Sequence, residues 1–367
     1  MKILFLISSM EAGGAERVAA TLCNAWAARG DQVMLVPTYS GGGVRSFYAL
    51  DDAVQLRYLA QLAGVTGRGA LNYLRRLRCL RALIAQRAPD VIISFLPNVS
   101  VNVLLASAGM RVPVIVCERR DPSSQSHSYL QEWACRLLYR RADMVTVQTE
   151  AVAAKIRAIY PGPYLLRAVP NPLPELALAP AAADRPRKVL LSLGRLVPEK
   201  QLDRLLDAFH DLAPAHPDWD LHIYGDGPLA PKLAQRIAAL GLNERVALKG
   251  RTERPWDAMA GADAFVMTSK FEGFPNALLE AMGMALPCVA FDCPSGPREM
   301  SADGRDAMLV ALDDQAGLSA ALGRLMGEAP LRSELGARAR ASVLARFGLP
   351  GVLARWDGLF AELGVRA

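Results

Sequence analysis

No stretch of this 367-residue chain reaches the roughly 18 uncharged apolar residues that a membrane-spanning helix needs, although 52% of its residues are hydrophobic. The N-terminal run MKILFLISSM carries a single Lys, has no small-residue cleavage site and leads into Gly-rich sequence. It reads as a first strand and not as a signal peptide. Cysteine is scarce: Cys23, Cys79, Cys117, Cys135, Cys288 and Cys293 fall at no disulfide-framework or metal-ligand spacing. Without an export signal they read as reduced, buried thiols of a cytosolic protein. The only D-x-D string, Asp218-Trp219-Asp220, opens a strand in a Pro/His-rich stretch away from the motifs below, and no metal is expected there. A complete G-x-G-x-x-G is missing, which disfavours a nicotinamide cofactor. No recognition motif accompanies the basic residues, which disfavours nucleic acid as a partner.

What is present fits two domains, since about 150 residues per domain is the usual size. Through residue 170 there are 20 Lys and Arg against 11 Asp and Glu, and the remainder is mildly acidic, within a total of +6. An anionic partner is therefore expected for the first half only.

Short apolar runs suited to buried parallel strands alternate with helical spacing along the whole chain. In the first half the strands are Lys2–Ile7, Gln32–Pro37, Asp90–Phe95, Pro113–Cys117 and Asp143–Gln148, with helices at about 15–29, 71–87, 99–109, 128–141 and 150–158. The motif VPNPLPE, Val169–Glu175, and the Ala/Pro-rich 176–186 interrupt this series as a linker. A second series follows, with strands at Lys188–Leu193, Asp220–Tyr224, Val246–Leu248, Ala264–Thr268 and Pro287–Phe291, and a final helix at Leu349–Leu363. The expectation is an α/β protein of two Rossmann-like, doubly wound domains: 1–170, a linker at 171–187, and 188–348. The last helix, 349–367, is expected to pack back on the first domain. Ligands of such sheets bind outside the carboxyl ends of the strands, here in the cleft between facing domains.

The sharpest motif is EGFPNALLEAM, Glu272–Met282. Pro275 suits a first helical position, so Glu272, Gly273 and Phe274 approach the positive end of a helix. Free N–H groups near Asn276–Leu278 would make an anion site there. Glu272, in the loop, is placed to accept from hydroxyls of a sugar, and Glu280, in the second turn, from those of a ribose. In LGRLVPEK, Leu193–Lys200, Arg195 leaves a strand and Lys200 stands near the next helix. Two such cations neutralise a departing diphosphate, unless they are simply surface charge. Gly13-Gly14, at the first helix's start, lets backbone approach an anion closely, or is a plain tight turn.

Taken together, GGAER at 13–17, VPNP at 169–172, GRLVPEK at 194–200, YGDGP at 224–228 and EGFPNALLEAM at 272–282 resemble the family 4 glycosyltransferases of the GT-B fold, over nearly the whole chain. The last is that family's E-x7-E motif. The resemblance implies a retaining transfer from a nucleoside-diphosphate sugar, with UDP and a hexose or N-acetylhexosamine favoured, and without metal or other cofactor. By it, Arg195 and Lys200 hold the donor diphosphate, Glu272 the sugar and Glu280 the ribose. Phe274, Pro275 and Asn276 form the amide turn, Gly14 approaches the donor phosphate, and Gly250 and Arg251 border the base. Two departures stand out. Where many members place a His near the reacting centre, this chain reads CERRDP, so Glu118 and Arg119 become the candidates, Glu118 as a catalytic group and both toward the acceptor with Gly13. The E-x7-E helix usually continues with Gly before the next Pro, and here the residue is Ala285.

The segment Gly69–Arg87 repeats Leu71, Leu74, Leu77 and Leu80, with Arg75, Arg78 and Arg81 beside them, and WACRLLYRR at 133–141 is a second basic helix. Such helices suit an anionic membrane or a lipid-linked diphosphate, or else are core helices with a solvated Arg face. Similar family members extend polyprenyl-diphosphate-linked bacterial glycans. The expected setting is thus surface-polysaccharide or glycoprotein glycan assembly, cytoplasmic and peripheral on the inner face of the plasma membrane. A non-hydrolysing sugar-nucleotide 2-epimerase on the same architecture is the alternative, but it would leave the basic helices unexplained.

Overall fold

The structure, a computed structural model, describes residues 1–40, 46–65, 67, 69–119, 129–175 and 186–365. The Ala/Pro-rich linker at 176–185 and the last three residues of CERRDP lie outside the described residues. The chain divides into two compact units, Met1–Pro172 with Pro350–Ala367, and Leu173–Leu349.

Unit 1 begins with β1 (Lys2–Ile7), α1 (Gly14–Ala28), β2 (Gln32–Pro37), β3 (Gln55–Leu56), α2 (Leu59–Leu62) and α3 (Ala70–Arg87). It continues with β4 (Val91–Phe95), α4 (Pro97–Ala106), β5 (Val114–Cys117), α5 (Tyr129–Leu138), β6 (Met144–Val147), α6 (Glu150–Ile159) and β7 (Leu165–Ala168). The strands form one parallel sheet in the order β3-β2-β1-β4-β5-β6-β7. The central strands β4, β5 and β6 are buried along their full length, which is why they read as unbroken apolar runs.

Unit 2 holds β8 (Lys188–Leu193), α7 (Leu202–Leu212), β9 (Trp219–Tyr224), α8 (Ala230–Ala239), β10 (Val246–Gly250), α9 (Pro255–Ala260) and β11 (Ala264–Met267). After these come α10 (Asn276–Gly283), β12 (Cys288–Phe291), α11 (Pro297–Met300), β13 (Met308–Val310), α12 (Gln315–Gly327) and α13 (Ala329–Phe347). Its parallel sheet runs β10-β9-β8-β11-β12-β13. α7 buries Leu202, Leu205, Leu206 and Phe209, a spacing that places one apolar stripe on the sheet.

The last helix, α14 (Leu349–Glu362), belongs to unit 1. Trp356 and Phe360 meet Trp26 of α1, Trp356 edge-on with ring centroids 5.6 Å apart, and both tryptophans are fully buried. The Arg29–Asp357 and Arg167–Glu362 ion pairs flank this contact, but their side chains are about 40% exposed. Exposed pairs contribute little, so the aromatic packing carries the attachment.

Six elements go beyond the sequence reading, the short helices α2 and α11 among them. β3, β7 and β13 are edge or near-edge strands of two to four residues, and α13 packs on α10. The end of α10 explains the Ala285 departure. Ala285 follows the helix with φ +61, its N–H donating to the Met282 carbonyl, and the Leu286 N–H donating to the Ala281 carbonyl, both at 3.0 Å. This is the left-handed cap that normally takes Gly, because Cβ crowds the backbone there. Ala285→Gly is therefore expected to raise the unfolding free energy by about 1 kcal/mol. Urea unfolding checks it, and unchanged or lowered stability would show that the strain is absent.

Candidate active site

In a doubly wound sheet the ligand crevice opens where the strand order reverses, because loops on either side of that point run in opposite directions. In unit 2 the reversal lies between β8 and β11. The loops leaving these two strands carry Arg195–Lys200 and Thr268–Pro275, so the topology alone brings the two sequence motifs together. Lys200 Nζ donates to Glu272 Oε1 at 2.5 Å, with both side chains mostly buried. The Thr268 hydroxyl donates to the Lys200 carbonyl (2.8 Å), and the Lys270 N–H to the Glu199 carbonyl (2.8 Å), locking one loop to the other.

The β8 loop is fixed from its other side by YGDGP. Gly194 N–H donates to the Tyr224 carbonyl (3.0 Å) and Leu196 N–H to that of Asp226 (2.9 Å). A Cβ on Gly225, which has φ +148, would stand 1.8 Å from the Gly194 carbonyl oxygen. Only glycine permits that approach. Arg195 itself is exposed and makes no ion pair among the described residues. Gly250 and Arg251 end β10 in exposed positions, and the Gly250 carbonyl accepts from the Gly225 N–H at 2.8 Å.

Glu272 is held by its backbone. The Ser295 hydroxyl donates to the Glu272 carbonyl at 2.6 Å, and Gly296, with φ +99, lies so close to Pro275 that a Cβ would meet its Cδ at 2.2 Å. This turn after β12, CPSGP, is absent from the sequence reading. Its Gly-Pro pair looks like ordinary turn chemistry, and its purpose shows only in the packing on Pro275. α10 starts at Asn276 with Pro275 as its cap, one residue later than the motif suggested. The Asn276 N–H donates to the Phe274 carbonyl (2.9 Å). The amides of Ala277 and Leu278 remain at the positive end of the helix, suited to an anion. Phe274 is buried against Phe347, and Glu280 is buried at 2% exposure, one turn along the same helix. A buried carboxylate one turn from a helix's positive end can accept from hydroxyls without exposing itself to bulk water.

In unit 1 the sequence candidates separate. Gly13 N–H donates to the Tyr48 phenol at 3.2 Å, which returns a bond to the Gly13 carbonyl at 3.0 Å. A Cβ on Gly13 would strike the Glu16 carboxylate, and Gly14 opens α1 beside it. Glu118 and Arg119 follow β5 and are both buried. Glu118 accepts from the Tyr139 hydroxyl at 2.8 Å. Arg119 donates to Asn171 Oδ1 at 2.8 Å and lies 4.0 Å from the centre of the Phe95 ring. Burial, and then the Glu118 charge, hold the Tyr139 phenol well above its ordinary range. Burial likewise lowers the Arg119 guanidinium and raises the Cys117 thiol beside it. Asn171 belongs to VPNP, so that motif does more than link domains: it supports Arg119.

The Leu and Arg strips of α3 divide. Leu80 faces the core and Leu77 is half-buried, while Leu71 and Leu74 are exposed. Arg81 donates to the Ala106 and Ala108 carbonyls at 2.9 and 2.8 Å, so besides its assignment with Arg75 and Arg78 it caps the end of α4. Those two remain exposed. α5 presents Tyr129, Leu130, Trp133 and Leu137 to solvent, with Arg136 and Arg140 nearby. No helix among the described residues is long and apolar enough to cross a membrane.

Comparison with known proteins agrees with this fold. Residues 187–328 match the family model described as glycosyl transferases group 1, and residues 13–172 match that of the glycosyl transferase 4-like domain. The chain is 26% identical over 99% of its length, and 99% of the relative's, to the N-acetyl-D-galactosaminyltransferase of Campylobacter jejuni named for a PP-undecaprenol-linked acceptor. It is 30% identical over 99% of its length to a Streptomyces coelicolor exopolysaccharide phosphotransferase, of which it spans only 41%. Among solved structures, Anabaena HepE in complex with UDP and glucose superposes with a TM-score of 0.79 at 20% identity, covering 99% of this chain and 100% of that one. Fold and matches together place the chain among the GT-B glycosyltransferases. The relatives named here give the epimerase alternative no support.

Proposed function

We propose that the chain is a retaining family 4 enzyme that moves a hexose or N-acetylhexosamine from a UDP-sugar to a polyprenyl-diphosphate-linked glycan, in surface-polysaccharide or glycoprotein glycan assembly. The observation that carries this reading is the Lys200–Glu272 pair at the reversal of the unit 2 sheet, beside the start of α10. Lys200, Arg195 and the α10 amides would take up the charge that develops on the leaving diphosphate, where fixed donors are most effective. Glu272 accepts from the sugar hydroxyls, Glu280 from the ribose, and Gly250-Arg251 borders the base. The acceptor hydroxyl oxygen bonds to the anomeric carbon as the bond to the phosphate oxygen breaks. The acceptor's proton passes to that phosphate oxygen on the same face, which retains configuration without an enzyme nucleophile. Glu118, which accepts from the Tyr139 hydroxyl, and Arg119 beside it remain the candidates toward the acceptor. The C. jejuni relative, named for a lipid-linked acceptor, and the UDP complex of Anabaena HepE support this choice of substrates.

Glu272→Ala is expected to cut turnover by on the order of 10², whereas Glu280→Ala mainly raises the donor KM. Wild-type turnover in the Glu272 variant would sink the assignment. Transfer is also expected to proceed in EDTA, since Lys200, Arg195 and a helix terminus supply the positive charge. Complete loss of activity that Mg²⁺ or Mn²⁺ restores would contradict this.

Exposed Arg75 and Arg78 on α3, with the apolar face of α5, suit a peripheral position on an anionic leaflet. Each Arg near such a surface contributes about 1 kcal/mol. Reversing both charges, with Arg81 left in place because it caps α4, should release the protein from anionic vesicles in co-sedimentation. Binding equal to wild type at moderate salt would remove these residues from the contact.

A further inference from the structure

Unit 1 contains a concavity of about 600 Å³ lined by none of the catalytic, donor or acceptor candidates above, although Leu77 of the α3 strip lies on its floor. That volume lies within the range of small-molecule sites. Thr38 and Tyr39, on its wall, directly follow β2, so it opens at the carboxyl edge of the sheet, where ligands of this architecture bind.

Its chemistry is two-layered. The floor is apolar, formed by the buried Leu59 and Val65 and the half-buried Leu77. The rim is a fixed polar chain: the Tyr73 hydroxyl donates to Asn102 Oδ1 at 2.9 Å, and Asn102 Nδ2 donates to the Tyr39 hydroxyl at 2.8 Å. Both tyrosines remain more than 40% exposed although their hydroxyls are anchored. Inside the rim Arg76 donates one N–H to the Gly67 carbonyl at 3.2 Å, while its Nε, shielded from solvent, has no hydrogen-bond partner. A buried guanidinium N–H of that kind is costly unless a ligand accepts from it.

Anchored aromatic faces beside a fixed amide and an open N–H suit a ring with C–H faces and hydroxyl edges. An isoprenoid chain would leave the Arg76 Nε–H without an acceptor and would cover the remaining lone pairs of the rim hydroxyls. Among the described residues a phosphate would find one guanidinium, already partly committed. The apolar floor below the rim asks for a ring that also carries a small apolar substituent.

We propose that this pocket binds an N-acetylated sugar ring of the acceptor, its hydroxyls on Asn102, Tyr73 and Arg76 and its acetamido methyl on the Leu59–Val65–Leu77 floor. This rests on the reading of the chain as a glycosyltransferase acting on a glycan. Saturation-transfer NMR on the full chain tests it, using the methyl α-glycosides of N-acetylglucosamine, N-acetylgalactosamine, glucose and galactose. The expected result is strong transfer to the acetyl methyl of at least one N-acetylated glycoside, and at least fivefold weaker signals from glucose and galactose. Tyr73→Ala and Asn102→Leu should abolish that transfer, and Tyr73→Phe should retain part of it, while all three variants keep the wild-type melting temperature within a few degrees. No acetyl signal, equal signals from the unacetylated glycosides, signals unaffected by Tyr73→Ala and Asn102→Leu, or displacement by farnesyl diphosphate would each overturn the proposal. A thermal shift with UDP, read on the same samples, separates the two ideas. Acetyl transfer without any UDP response would leave the pocket standing and remove the donor assignment.

Discussion

A lysine and a carboxylate held 2.5 Å apart, on loops that leave two neighbouring parallel strands, are what the unit 2 site is built around. The pair owes its existence to strand order. β8 and β11 are adjacent although three strands and their helices' worth of chain separate Lys200 from Glu272, and no local preference could bring the two side chains together. Once they meet, each compensates the other in a partly buried place where a lone charge would be expensive. The pair also keeps a cation and an acceptor poised at the mouth of α10, where the helix's own unpaired amides add positive potential.

Around that pair the backbone is tightly constrained. Gly225 lets the β9 loop rest against the β8 loop, and Gly296 lets the β12 loop rest against Pro275. The Ser295 hydroxyl then fixes the carbonyl of Glu272. A site supported in this way by neighbouring loops can present its groups with little reorganisation, which is what charge stabilisation of a departing group needs. Unit 1 is held differently. There Glu118, Tyr139, Arg119 and Asn171 form a buried polar cluster whose shifted phenol and guanidinium follow from burial. Its stiffness is set by side chains, not by glycine turns.

Much of this was legible in the sequence, for identifiable reasons. Buried parallel strands must be continuous apolar runs, so β1, β4, β5, β8 and β11 were readable from pattern alone. The E-x7-E and Gly-Arg…Lys segments were readable because a helix start and a strand end each have their own chemistry. β3, β7 and β13 were not, since an edge strand of two to four residues has no run long enough to signal itself. Arg81 looked like its neighbours Arg75 and Arg78, because nothing in the sequence tells that α4 ends beneath its guanidinium. Ser295, Gly296 and the Tyr39–Asn102–Tyr73 chain were invisible for the same reason: their meaning lies in contacts between segments far apart along the chain.

A crystal structure of the chain with UDP would test the central claim most directly. The expected result places the diphosphate within hydrogen-bond reach of Lys200 Nζ and the first amides of α10, with the ribose hydroxyls against Glu280. A diphosphate bound away from Lys200, or a ribose that leaves Glu280 untouched, would contradict it.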